Sequence, residues 1–126
     1  GAVNGTVFVG GLVGYSFQFS GGSDPVMTNC YAAGLVTGDD QTGGFAGRSS
    51  NGIYVHCYYD SDTTGQSDTG KGNSRTTAQM KLTDTSVATY SGWDFAGETD
   101  NGTEDIWSID TSGSVNSGYP YLTDNH

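Results

Sequence analysis

Residues 1–14 read GAVNGTVFVGGLVG, and residues 34–47 read GLVTGDDQTGGFAG. Aligned without a gap at an offset of 33, they share six of fourteen positions: Gly1/Gly34, Val3/Val36, Gly5/Gly38, Gly10/Gly43, Gly11/Gly44 and Gly14/Gly47. A second match follows, VMTNCYA at 26–32 on IYVHCYY at 53–59, at an offset of 27. The difference of six is taken up between the matches, where YSFQFSGGSDP at 15–25 is longer than RSSNG at 48–52. The same blocks in the same order, with the length change confined to a loop, mark a structural repeat.

Alternation within the blocks gives facing. Val3 and Val36 sit between glycines, Leu12 matches Phe45, and Cys30 matches Cys57 with Thr28/Val55 and Ala32/Tyr59 on either side. All of these are expected to point inward. Tyr15/Arg48, Asn29/His56 and Tyr31/Tyr58 are expected to point outward. Each unit then holds three short strands with one apolar inward position apiece, and one unit alone cannot bury that face. Stacked units form ladders of Val3 on Val36, Leu12 on Phe45 and Cys30 on Cys57, which is the logic of a β-solenoid. Glycine is expected at the corners because it accepts positive φ.

Composition agrees with this class. Of 126 residues, 21 are Gly, 14 Ser and 16 Thr, while Pro is only 2 and charged residues only 14%. That excludes collagen, a Pro-rich linker and a highly charged disordered tail. Ala, Leu, Glu and Lys are scarce, which argues against a helical bundle. The net charge of −10, from 14 acids against 4 bases, excludes a general nucleic-acid binder and disfavours an anionic membrane surface. Eleven of the acids lie in residues 60–126. There is no run of 18 apolar residues, so no membrane span is expected. An acidic, lysine-poor, Thr/Asn/Gly-rich chain suits an extracellular setting. Gly1 is not a natural start, so a processed chain is expected.

From residue 60 the pattern changes. YDSDTTGQSDTGKGNS at 59–74 is a polar loop, and Thr76-x-x-Gln79 opens TTAQMKL, the one plausible helix. Trp93–Phe95, Ile106–Ile109 and Tyr119–Leu122 read as short strands or packed segments. The expected organisation is all-β. Residues 1–59 form a short parallel β-helix or β-solenoid of about two rungs (1–33 and 34–59). Residues 60–126 supply a polar loop, one short helix and an aromatic-rich cap over the sheet edge.

GGLVG at 10–14, NCYAAGLVTG at 29–38 and GGFAG at 43–47 resemble the GLUG motif, a Gly-rich repeat of large bacterial and archaeal surface proteins. These include adhesin-like proteins and some IgA-cleaving peptidases. The tail is similar to the segment that commonly follows such repeats, with Tyr58-Tyr59-Asp60, Thr76–Lys81, Gly92–Phe95, Trp107–Ile109 and Tyr119–Leu122 in order. The resemblance covers nearly the whole chain. It implies a parallel β-helix-like fold, a passive extracellular role and no catalytic residues, since the peptidase activity of some family members lies in a different domain. The chain has few repeats and begins partway through a unit. A larger parent protein, or a partner filling the open end, is therefore expected.

Several residues are candidates for a site. Asp60-x-Asp62-x-Thr64-Gly65-x-x-Asp68 has the opening of a calcium loop, with oxygen ligands at alternate positions and then Gly. Lys71 stands where such a loop needs a bidentate Glu, and no helix precedes it, so a solvated loop is the simpler reading. Asp39-Asp40 and Asp100 with Glu104 and Asp105 are weaker candidates. Cys30 and Cys57 in adjacent rungs would sit ~4.8 Å apart at their Cα atoms, within disulfide reach; a stack of free buried thiols is the alternative. Tyr31 and Tyr58, with Tyr15 and Tyr54 near, suggest an outward aromatic ladder for glycan or protein contact, or simply cross-rung packing. Asn4 and Asn101 each open an Asn-Gly-Thr acceptor pattern for glycosylation, which chance also explains in such a composition.

Catalysis has little support. His56 and His126 are the only histidines, and neither GxSxG nor HExxH occurs. Asp60/Asp62 form a carboxylate pair of the kind a glycosidase uses, but the basic residues usual near such acids are missing. The leading expectation is a non-catalytic structural or adhesive module that associates with itself, or with the rest of a larger surface protein, through open solenoid edges. A glycan- or protein-binding module, possible with calcium, is the alternative from another class. A fragment of a polysaccharide-active β-helix enzyme ranks third.

Overall fold

In the computed structural model, which describes residues 1–82 and 89–124, strands dominate and helices are short. Two units are distinguished, Gly1–Thr76 and Thr77–His126. The first unit makes two successive passes of strands. The first pass is β1 (Val3–Asn4), β2 (Val7–Gly10), β3 (Val13–Phe17), β4 (Val26–Thr28) and β5 (Tyr31–Ala32). The second is β6 (Val36–Thr37), β7 (Asp40–Gly43), β8 (Ala46–Ser50), β9 (Ile53–Val55) and β10 (Tyr58–Asp60).

Every strand of the first pass pairs in parallel with the corresponding strand of the second. The register is that of the repeat. Val3 lies opposite Val36, Val13 opposite Ala46 and Phe17 opposite Ser50, all at an offset of 33. Val26 then lies opposite Ile53 and Tyr31 opposite Tyr58, at an offset of 27. The pairs form separate two-stranded ladders, except that β11 (Asn73–Arg75) adds to β10 as a third parallel strand. The core of the unit gathers Ala32, Phe45, Ala46, Cys57 and Tyr59, with Val13, Met27, Cys30 and Tyr54 packed against it.

Two expectations about backbone and facing are corrected. The glycines shared by the two blocks do not supply positive φ. The left-handed residues at equivalent corners are Phe8 (φ 57°) with Gln41 (φ 48°), and Asn29 (φ 53°) with His56 (φ 51°). The matched glycines serve close approach instead. A β-carbon on Gly10 would overlap the Val13 carbonyl, and one on Gly43 the Ala46 carbonyl.

The second correction follows from the first. Alternation was expected to carry unbroken from Thr28 to Cys30 and from Val55 to Cys57. The left-handed Asn29 and His56 reset it. Thr28 and Val55 are therefore exposed, and Met27 and Tyr54 turn inward in their place.

The second unit is described by itself. It holds α2 (Thr77–Met80), the expected helix, and an antiparallel pair of β12 (Trp107–Ser108) with β13 (Tyr121–Leu122). Its centre is aromatic: Trp93 lies 4.3 Å from Trp107 and 4.9 Å from Tyr90 between ring centroids. The Tyr90 hydroxyl donates to the Met80 carbonyl at 2.9 Å.

Candidate functional site

The polar stretch expected to be a plain loop has a defined structure. Asp60 ends β10, and its carboxylate accepts from the backbone N–H of Asp62 (2.9 Å) and Thr63 (3.0 Å). That caps a one-turn helix, α1 (Ser61–Thr64), which Gly65 closes at φ 70°. Sequence reasoning missed this helix, although Asp60 followed by Gly65 was a legible start and stop.

Side chains of α1 and of the chain beyond it bond backbone groups of the second pass and of the turn that leads into it. The Thr63 hydroxyl donates to the Ala33 carbonyl (2.9 Å) and the Gln66 amide to the Val36 carbonyl (3.1 Å). The Asp68 carboxylate accepts from the Gly44 N–H (2.8 Å), and Lys71 Nζ donates to the Gly47 carbonyl (2.7 Å). Lys71 and Asp68 also form an ion pair at 3.5 Å. The Tyr59 hydroxyl donates to the Asp68 carbonyl at 2.5 Å. An unpaired strand edge is a template for further strands, and polar side chains placed on it are a way of blocking it. Residues 61–72 act as such a plug.

Among the described residues no comparable layer covers the first pass. The strands β1 to β4 and β6 to β9 each pair on one side only, so pairing does not distinguish the passes. Burial does, at equivalent positions. Phe45 is 0% exposed and its counterpart Leu12 is 51% exposed. Val36, Ala46 and Cys57 are buried, while Val3, Val13 and Cys30 are only half-buried. The same kind of residue in the same register is covered in one pass and open in the other, because the second pass is followed by the plug.

An aromatic row runs along this open pass. Phe8 stacks on Tyr15 at 5.2 Å, Tyr15 on Phe17 at 5.1 Å, and Phe17 meets Phe19 edge-on at 4.9 Å. The Arg48 guanidinium lies 5.1 Å from the Tyr15 ring centre and 5.6 Å from that of Phe8. Tyr15, Phe17 and Phe19 are all exposed. Of this row only Tyr15 was singled out from the sequence. The run Tyr15-x-Phe17-x-Phe19 was the available signal, since alternate residues of a strand share a face.

The other tyrosines do not join it. Tyr31 and Tyr58 are opposite each other in register, but Tyr58 is 3% exposed with Arg75 over its ring at 5.0 Å. Tyr54 points into the core, edge-on to Phe45 at 5.7 Å, with its hydroxyl buried and without a hydrogen-bond partner. The expected outward ladder of Tyr31, Tyr58, Tyr15 and Tyr54 is therefore divided among three environments.

The cysteines are free thiols. Cys57 Sγ donates to the Met27 carbonyl at 3.3 Å and Cys30 Sγ to the Thr28 carbonyl at 3.2 Å. Burial raises the Cys57 thiol above its ordinary 9.0. Asp60 and Asp68 already accept backbone N–H groups, so two carboxylates of the candidate calcium loop hold the helix cap and the plug. Among the described residues, no group of three His, Cys, Asp or Glu side chains comes together to hold a metal ion. Asn4 is exposed, whereas the Asn101 amide nitrogen is buried. His126 lies outside the described residues.

In the second unit the acids organise loops. Glu98 accepts from the N–H groups of Phe95 (3.2 Å), Asp100 (2.7 Å) and Asn101 (3.1 Å), and Asp94 accepts from the Glu104 N–H (3.0 Å). Half-buried Asp110 accepts from Ser112 and Val115, and these bonds, led by that of the Ser112 hydroxyl, lower its carboxyl pKa. Among the described residues no helix is long and apolar enough to cross a membrane.

No family model matches the chain, and no solved structure matches it. It is similar to a protein of Evansella cellulosilytica named "Putative Gly-rich membrane protein", with 42% identity over 109 residues. That match covers 82% of this chain and 11% of the relative.

Proposed function

We propose that the chain is a non-catalytic structural and adhesive module of a secreted or cell-surface protein. Its first unit is read as a short parallel β-solenoid of the GLUG-like kind, whose second pass is covered by residues 61–72. The observation that carries this reading is the register. Five successive parallel pairs keep the offsets of the sequence repeat, and their inward residues stack pass on pass. Stacking of this kind builds length and exposed edges, which suit a stalk or an adhesive surface. The acidic, lysine-poor composition suits an extracellular position. The chain spans about a tenth of the length of its Gly-rich relative, whose printed name calls it a membrane protein. A small module within a long surface protein is consistent with that proportion. The test is immunolabelling of intact source cells with antibodies raised against this chain. Surface labelling without permeabilisation is expected, and labelling only after lysis would overturn the reading.

A second reading has its own observation, the exposed row of Phe8, Tyr15, Phe17 and Phe19 beside Arg48. Exposed aromatic residues with one guanidinium suit a glycan or protein partner. Against a sugar, three of the rings stack on one another and so offer part of their faces to each other rather than to a pyranose. A glycan array probed with and without chelator decides this reading, and silence in both conditions removes it.

A further inference from the structure

We infer that Asn51 is the site of a slow, spontaneous covalent modification, in which it cyclises onto Gly52, loses ammonia and becomes aspartate or isoaspartate. The inference goes beyond the surface-module reading and does not rest on it.

The chemistry needs an asparagine followed by a residue that leaves the next backbone nitrogen open to attack. Three Asn-Gly steps have that sequence: Asn4-Gly5, Asn51-Gly52 and Asn101-Gly102. At the corner between β8 and β9 the fold itself calls for such a step. Asn51 has φ 60°, a left-handed conformation that asparagine accepts more readily than most residues. Gly52 has no room for a side chain, because a β-carbon there would lie within 2.8 Å of the hydroxyl oxygens of Ser49, Ser16 and Tyr54. The dipeptide that meets both demands is the reactive one.

The three steps are held differently. Asn51 is exposed, and the Gly52 N–H donates to the Ser49 hydroxyl at 3.2 Å, a rotatable partner at the long end of the hydrogen-bond range. Asn4 is exposed as well, but the Gly5 N–H donates to the Thr37 carbonyl at 3.1 Å, beside the β1–β6 pair. That nitrogen must leave a backbone carbonyl fixed by strand pairing before it can attack. At Asn101 the side-chain nitrogen that would depart is buried. The backbone at Gly102 also lies against the Asp94 carboxylate, so negative charge developing there is repelled.

The reaction balances with water alone. The Gly52 nitrogen gives its proton to hydroxide and attacks Asn51 Cγ. A bond forms between them, the Cγ–Nδ2 bond breaks, and Nδ2 takes a proton from water to leave as ammonia. Water then adds to either carbonyl carbon of the cyclic imide, and the ring opens at that carbon's bond to nitrogen. Opening at Cγ yields aspartate, and opening at the backbone carbonyl yields isoaspartate. Nothing is oxidised or reduced.

The product changes the corner. Asn51 Nδ2 donates to Gln18 Oε1 at 3.0 Å, a bond that joins the loops of the two passes. A carboxylate at that place only accepts, so the bond is lost. Isoaspartate also lengthens the main chain at a tight corner. The modification loosens the link between the passes and adds a negative charge to a chain already at −10.

The experiment ages the whole chain at mildly alkaline pH, folded and in denaturant. Cleavage after Arg48, Lys71 and Lys81 puts the three steps on separate peptides, 1–48, 49–71 and 82–126. Mass spectrometry then reads each deamidation, and an isoaspartate-specific methyltransferase labels the rearranged product. In the folded chain residue 51 is expected to react about tenfold faster than residue 4, the ratio that opening one net hydrogen bond gives. Residue 101 is expected to lag as well, and in denaturant the three rates should converge. Equal rates in the folded chain, or residue 4 or 101 reacting first, would overturn the inference. So would a 49–71 peptide that ages in denaturant and not in the folded state. Modified protein, separated by anion exchange, should unfold at a lower urea concentration than fresh protein. An unchanged midpoint would overturn the loosening of the link to Gln18.

Discussion

The ring of Tyr59 occupies the space a β-carbon on Gly44 would need. The two residues are 15 apart in the chain and belong to the same pass. Tyr59 is fully buried, and its hydroxyl reaches across to the Asp68 carbonyl of the plug. Gly44 in turn donates its N–H to the Asp68 carboxylate. A glycine, a tyrosine and an aspartate thus tie the second pass to the segment that closes it.

Gly44→Ala tests that relationship. A methyl group there must displace a buried ring, and overpacking of this kind costs about 1–3 kcal/mol. Gly21→Ala is the control. Gly21 has open space around it but φ 79°, so its cost is confined to backbone strain of about 1 kcal/mol. Urea unfolding of both variants should place Gly44→Ala clearly lower. Equal midpoints would mean that the Tyr59 ring moves aside freely.

Two carboxylates in the plug should give separable effects. Asp60→Ala removes a helix cap, which costs about 1 kcal/mol. Asp68→Ala leaves the Gly44 N–H without its acceptor, which costs about 1–3 kcal/mol, and also ends the ion pair with Lys71. Thermal melts in the presence of chelator are expected to show both losses. If either loss appears only when calcium is supplied, that aspartate works as a metal ligand and not as a cap.

Alkaline pH should weaken the first unit. Burial raises the Cys57 thiol above 9.0, and burial together with the nearby Asp68 charge raises the Tyr59 hydroxyl above 10.0. Both groups are neutral when protonated and ionise more readily in the unfolded chain. Their contribution is complete below about pH 9 and is lost as pH rises through the folded-state values. Unfolding midpoints should therefore fall above pH 9, and less steeply in Cys57→Ala. A midpoint flat to pH 11 in the parent chain would contradict this.

The thiols should differ in reactivity. Cys57 is fully buried and its thiol held neutral, while Cys30 is half-buried on the open pass. A thiolate attacks an aromatic disulfide reagent, expelling the aromatic thiolate, and only where the reagent can reach it. Under native conditions Cys30 should be modified first, and Cys57 only when the chain opens. Peptide mapping of partly labelled protein reads the order. Equal labelling would mean that the second pass opens as readily as the first.

Much of the first unit is legible in the sequence. Gly10-Gly11 on Gly43-Gly44 fixed one offset, Cys30 on Cys57 fixed the other, and the loop at 15–25 explained their difference. The paired strands follow both offsets. Facing was legible only as far as the backbone alternates. At Asn29 and His56 it does not, because both adopt positive φ; Asn and His are enriched there, but most of them are not left-handed, so residue type alone does not place the break. The aromatic row was half legible, since Tyr15, Phe17 and Phe19 alternate, but Phe8 joins them through a left-handed turn.

The sequence alone thus determined which strands lie side by side, because repetition at a fixed spacing needs no long-range information to be recognised. Only the tertiary structure decided what each end of the stack does. Leu12 and Phe45 are interchangeable in the repeat, yet one is half exposed and the other buried. The difference comes from Asp68, Lys71 and Gly72, more than twenty residues further along, folding back over the second pass. Burial depends on what arrives from elsewhere in the chain, and a local pattern carries no record of it.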